Sequence, residues 1–303
     1  MVETDNIDLS QLPAPDAVIS PDPEAIFSLW LARVRQLDPN FNALVESDPA
    51  YKQGEAFAYL GGIFYQRTND AVRAVLLASA GGADIDQLGA NYDVERMLIN
   101  QGNPDAIPPV EPEYESDDAF RHRIQLSWAR LSTAGAGHAY RFFASSAHPD
   151  VLDAGCYGPE THNRAGEVWV YVLSRTDNGV PSTDVLTAVT QALNADEVRP
   201  LTDKVTVNPA QMMDFAVDAD IVMPYGPDNT VIMDKAAAAL DDYLNGVRRV
   251  GAVVARSGID RALHQDGVVK VVLRSPAADM TMQMGQAPRW TTITLNKVLT
   301  TDE

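Results

Sequence analysis

The sequence holds one cysteine, Cys156, in 303 residues. That excludes an internal disulfide framework and a multi-cysteine zinc site, and it fits a reducing cytoplasm. No run approaches the ~18 uninterrupted apolar residues of a membrane span. The opening MVETDNIDLSQLPAPD is acidic and has no apolar stretch, so no secretory signal is expected there. Basic residues are scarce: 23 Lys and Arg stand against 42 Asp and Glu, a formal net charge of -19. A field of that sign repels phosphate backbones and argues against sequence-independent nucleic-acid binding. Aromatics make up 7% of the chain, and most sit on helix or strand faces where a core explains them.

Catalytic motifs are missing too. His122, His138, His148, His162 and His264 include no pair at helical i, i+4 spacing and no His-Glu-x-x-His run. His162 follows Cys156 by six residues with Glu160 between, but without further thiols a zinc site is not expected. Loop histidines in solvent are the simpler reading. There is no Gly-x-Ser-x-Gly elbow, and Ser257-Gly258 reads as a helix N-cap. GAGHAY (135–140) follows a helix, not a strand, and lacks a third glycine, so it fails as a dinucleotide loop. The acid pairs Asp84/Asp86, Asp117/Asp118, Asp218/Asp220 and Asp241/Asp242 fit helix N-termini or wet faces, and a glycosidase would need its two carboxylates facing across a cleft. No catalytic residue, cofactor or metal is expected.

What is present is apolar patterning. At 46% hydrophobic residues the chain has enough for real cores, and its length suits two or three domains. Pro13, Pro15, Pro21 and Pro23 make residues 1–25 an extended arm whose apolar Leu12, Val18 and Ile19 lie on its own body or on a neighbour. Glu24 to Leu37 reads as a helix with Ile26, Leu29, Trp30, Val34 and Leu37 on one side. A second helix starts at Asp48-Pro49 and could run to Ala80, with Phe57, Leu60, Phe64, Val72, Val75 and Leu76 as its apolar side. Gly61-Gly62 marks a kink or a close approach of another helix, and Gly81-Gly82 its C-terminal cap. QGNPDAIPPVEPEYE (101–115) reads as a linker, with a hinge at 102–114.

Beyond Ser116 come an N-capped helix, a second helix HAYRFFASSA, a strand VWVYVL, a helix over 181–193 and a short strand DKVTV. Then MDFAVDADIVM (213–223) alternates, a helix follows and ends at Gly246, and strands are expected at 268–273 and 291–295. The fold class is α+β: an elongated multi-module chain with an N-terminal helical region and two small α+β modules. Its expected divisions are 1–45, arm and first helix; 46–100, helical clamp; 101–115, linker; 116–209, middle module; and 210–303, C-terminal module. Each module is near the size at which a core alone is marginal, so the isolated chain is expected to be modestly stable or dimeric.

NDAVRAVLLASAGGADIDQLGANYDVER (69–96), ESDDAFRHRIQLS, VRPLTDKVTV (198–207) and GVVKVVLRSPAADM (267–280), in this order, resemble the baseplate J-like family of contractile phage tails and related injection machines. The resemblance runs from about Leu12 onward. Two positions depart from the family pattern: Leu88-Gly89 replaces leucine-alanine, and Asp93 stands where glycine is usual, which bears on the local turn. The resemblance implies a wedge protein without enzymatic activity, located in the virion tail baseplate and assembled in the host bacterial cytoplasm. Implied partners are other copies of itself, a small tail protein I-like partner, a lysozyme-fold-like sheath-initiating protein and hub proteins, with the copies forming a ring. Candidate interface residues are Leu12, Val18, Trp30, Phe57, Leu60, Gly61 and Phe64, with a core role equally open for Phe57 and Phe64. Competing functions are a cell-wall glycan hydrolase using Asp218/Asp220 and a receptor-binding module.

Overall fold

A computed structural model describes residues 7, 9, 12, 13, 15, 17, 20–41, 45–132, 136–225 and 229–300. Val18 and Ile19 of the arm lie outside the described residues. The chain divides into two compact units, Ile7–Glu95 and one that includes Arg96–Glu303.

The first unit is helical. α1 (Pro23–Leu37) starts at Asp22, whose carboxylate accepts from the amides of Glu24 and Ala25, with proline in the first turn. α2 (Pro49–Ala74) is capped in the same way by Asp48. It is one unbroken helix through Gly61-Gly62, and at Gly61 it is approached closely by Ile26 of α1. It ends at Ala74 rather than Ala80, and Gly82, at φ +55°, is the N-cap of α3 (Ala83–Asn91) rather than the cap of α2. Asp93 also adopts a left-handed φ of +56°, the conformation that a glycine adopts freely.

In the second unit β1 (Leu98–Asn100) pairs antiparallel with β2 (Glu113–Tyr114), and an isolated bridge joins Asn103 to Val110. Residues 101–115, expected as a bare linker, therefore form a closed hairpin. Its closing residue, Glu115, is buried.

The middle part runs α4 (Asp117–Leu126), a 3-10 turn (Ser127–Leu131), α5 (Gly137–Ala147), β3 (Val151–Tyr157), α6 (Pro159–His162), β4 (Glu167–Ser174), α7 (Thr183–Leu193) and β5 (Lys204–Pro209). The sheet order is β3–β4–β5, antiparallel then parallel. Val168, Val170 and Val172 of β4 meet Tyr140 and Ala144 of α5 and Val185, Val189 and Leu193 of α7. Each Å² of apolar surface that this layer takes out of water stabilises the fold by about 25 cal/mol.

The C-terminal part continues directly into β6 (Gln211–Pro224), then α8 (Asn229–Val247), β7 (Val253–Val254), α9 (Arg256–Leu263), β8 (Lys270–Ser275), β9 (Met280–Thr281) and β10 (Gln286–Thr300). The sheet order is β10–β6–β8, with β10 parallel and β8 antiparallel to β6. The alternation of β6 buries Phe215, Val217, Ala219, Ile221 and Met223 against Ala236, Leu240 and Leu244 of α8 and Ile259 and Leu263 of α9. Gly246 lies inside α8, not at its stop. Ser257 lies in the first turn of α9, whose N-cap is Ala255. The Tyr243 hydroxyl accepts from the Ala255 amide at 3.0 Å and donates to its carbonyl at 3.1 Å.

The two α+β parts are packed on each other. Ala210, buried, is the only residue between β5 and β6. Around it Leu173 and Ala287 pack with Leu152, Met212 and Val250. Polar groups close the same seam: the Val250 amide donates to Asp153 at 2.8 Å, and Arg248 donates to the carbonyls of Ser174 and Arg175.

Candidate protein–protein interface

α2 buries only a narrow strip. Its buried residues are Gly54, Ala58 and Asn69. A Cβ at Gly54 would lie 2.5 Å from Trp30 Cζ3 and 2.6 Å from Phe27 Cε2, so α1 approaches α2 closely here. At Gly61 the nearest atom is Ile26 Cγ2, 2.9 Å from a built Cβ, while Gly62 has nothing within 4 Å. Phe27, Trp30, Tyr51 and Phe41 surround this joint, with ring centroids 5.6 Å apart for Phe27–Trp30 and 4.7 Å for Phe27–Tyr51.

The bulky residues of α2 face away from that joint. Phe57, Leu60 and Phe64 share one helical stripe and are 52%, 51% and 70% exposed. Tyr59, Ile63 and Tyr65 are exposed as well, and Leu29 of α1 is 77% exposed. The apolar side read from the sequence is thus the wet side, and small residues form the contact. Trp30 and Gly61 belong to the α1–α2 joint, half-buried, and Leu12 is exposed. Tyr59, Ile63, Tyr65 and Leu29 were not among the candidate interface residues named from the sequence. The signal for them was an α2 apolar on nearly every side, more than one neighbour can cover. Large apolar residues left exposed in this number are what a protein interaction surface would need.

Several charges of the second unit are paired. Glu115 accepts from Arg123 Nε at 3.0 Å and from Arg123 Nη2 at 2.8 Å, with both residues buried, and Arg175 lies 3.9 Å away. Arg96 donates to the Glu115 carbonyl at 2.6 Å and to Asp117 at 2.7 Å. His122 is not a solvent histidine. It is partly buried, and burial, then Arg249, hold its pKa below 6.5, against the opposing pull of Asp153 and Glu115.

Several members of the acid pairs have partners within the fold. Asp218 and Asp220 both pair with Arg274, and Asn296 donates to both. Asp117 binds Arg96, Asp118 binds Arg121, and Asp241 accepts from Asn245. Cys156 and His162 do not come together as a site: burial raises the thiol to about 12, and His162 stacks on Trp169 with centroids 4.1 Å apart. Among the described residues no cluster of His, Cys, Asp or Glu could hold a metal ion.

Three domain descriptions match this chain in order: Baseplate J-like N-terminal domain over 46–103, Baseplate J-like central domain over 132–209, and Baseplate J-like protein C-terminal domain over 215–296. Baseplate protein J of Escherichia phage P2 is 38% identical over 288 residues, 93% of this chain and 94% of that protein. A chain in the six-fold symmetrised cryo-electron microscopy structure of the anti-feeding prophage baseplate is 15% identical at a TM-score of 0.40, over 60% of this chain and 43% of that one. With matches spread along most of its length and that identity to the phage P2 protein, the chain belongs to the baseplate J-like family.

Proposed function

We propose that the chain is a structural, non-enzymatic wedge protein of a contractile phage tail baseplate, in which copies join each other and partner proteins into a ring around the tail hub. Family membership supports the baseplate role, since the phage P2 relative is named baseplate protein J. The observation that carries the assembly reading is the exposed stripe Phe57, Leu60 and Phe64 on α2. Fully covering a Phe or Leu side chain is worth about 1.5–3 kcal/mol. Three such residues left half or more in water are free energy held back for a contact between chains. The partner assigned to this stripe is the small tail protein I-like component. The sheath-initiating and hub proteins are the further neighbours, and assembly takes place in the host cytoplasm before the particle is released.

The test is co-expression of the full chain with the neighbouring small tail protein. Phe57→Asp/Phe64→Asp keeps the helix content and thermal midpoint of the wild type and loses co-purification by at least about tenfold. Undiminished capture by that variant overturns the role of the stripe. The hydrolase alternative predicts peptidoglycan turnover that vanishes in Asp218→Asn or Asp220→Asn. The occupation of both carboxylates by Arg274 and Asn296 favours the structural reading.

A further inference from the structure

β10 is an edge. In the order β10–β6–β8 it pairs with β6 on one side, and no strand among the described residues pairs with its other side. From Thr291 to Thr294 every residue is exposed, so both faces of the strand are wet there. Ile293 and Val298, on opposite faces, are 40% and 39% exposed. Proteins blunt such edges with prolines, bulges and charges, because unpaired amides and carbonyls invite another strand. In β10 the proline, Pro288, and the register shift at Trp290/Thr292 both sit near its start. From Thr292 to Leu299 the sole charge is Lys297.

Charge selects the occupant. Two copies of a chain at -19 repel wherever their carboxylates meet. Met280 to Thr301 contains no carboxylate, and its cations are Arg289, held by Asp214, and Lys297. Asp218 and Asp220 of β6 lie beside Thr294 and Asn296 but are held by Arg274 and Asn296, so two copies meet less repulsion along this edge than over the acidic surface elsewhere. A two-fold arrangement also matches the strand to its own length and chemistry. We propose that the outer edge of β10 pairs antiparallel with β10 of a second copy, giving one six-stranded sheet of order β8–β6–β10–β10–β6–β8. This rests on the reading above that copies join each other, and it names one surface that does so. Registers that set Lys297 against Lys297 are disfavoured by like charge. A two-fold axis at Asn296 sets Ile293 opposite Leu299. A single strand edge buries less than a standard interface, so the free chain pairs weakly and gains from tethering in an assembly.

The test is hydrogen exchange on the full chain at about 5 and about 500 µM, with sedimentation in parallel. The expected result is concentration-dependent protection within 292–299, outward-facing amides slowing by about tenfold as dimer forms. Ile293→Glu/Val298→Glu sets four carboxylates along the joint edge and abolishes both protection and dimer. Should that variant melt lower than the wild type, Thr292→Glu, at an exposed position, replaces it. Exchange of 292–299 that ignores concentration, or an undiminished dimer in the substituted chain, overturns the proposal. Phe57→Asp/Phe64→Asp leaves the β10 protection intact, so loss of the small partner and loss of this pairing are separate results.

Discussion

Alanine at three glycines of α2 reads the α1–α2 contact directly. Each replacement gains about 1 kcal/mol of helix propensity. What differs is the space. At Gly62 nothing lies within 4 Å of the new methyl, so Gly62→Ala keeps the whole gain. At Gly61 the methyl meets Ile26 Cγ2 at 2.9 Å, the branch methyl of a helical residue with a stiff χ1, so relief needs a small shift of α1 and the strain offsets about 1 kcal/mol, most of the gain. At Gly54 it meets Trp30 Cζ3 at 2.5 Å and Phe27 Cε2 at 2.6 Å, two rings packed among Tyr51 and Phe41. Overpacking of that kind costs about 1–3 kcal/mol, so Gly54→Ala is destabilising by up to about 2 kcal/mol net. Urea unfolding followed by circular dichroism, with fluorescence of a chain in which Trp128, Trp169 and Trp290 are replaced by Phe as the local probe of Trp30, measures the order Gly62→Ala, Gly61→Ala, Gly54→Ala from most to least stable. Gly54→Ala as stable as Gly62→Ala would show that α1 does not pack where the rings are described.

Glu115→Ala leaves the buried Arg123 guanidinium without its carboxylate and costs about 3–5 kcal/mol in urea unfolding. His122 has a folded pKa below its unfolded 6.5, so the unfolded chain binds more protons and the contribution of His122 is present above pH 6.5 and lost as pH falls below it. The thermal midpoint of the wild type should therefore drop between about pH 7.5 and 5.5, and His122→Gln should flatten that slope. Asp93→Gly relieves a φ of +56° and raises stability by up to about 1 kcal/mol, read from the same unfolding curves.

The parts of the fold carried by local periodicity were legible. The alternation of Phe215, Val217, Ala219 and Ile221 fixed a strand and its buried face, and Val185, Val189 and Leu193 fixed the inward side of α7. Parts held by distant partners were not. β3 went unseen because Asp153 and Gly155 interrupt its pattern. Asp153 is buried to receive the Val250 amide, and at Gly155 a Cβ would meet Val250 at 2.6 Å. β10 extends well beyond 291–295 because β6 supplies a parallel partner from Gln286 to Thr300. The prolines of 101–115 concealed the pairing of Glu113 and Tyr114 with Asn100 and Leu98. The exposed stripe was half legible. Phe57, Leu60 and Phe64 stand on one face as the spacing required, but which face α1 covers depended on Gly54, Ala58 and Gly61, whose small size carries no hydrophobic signal.

The direct passage from β5 through Ala210 into β6, and the side-by-side parallel run of β6 with β10, have a mechanical consequence. Tension between the start of β6 and the far end of β10 would be shared as shear across many ladder bonds at once, whereas an antiparallel hairpin pulled from its ends would peel open rung by rung. Such a pull would meet more resistance along this ladder than along a hairpin of the same length.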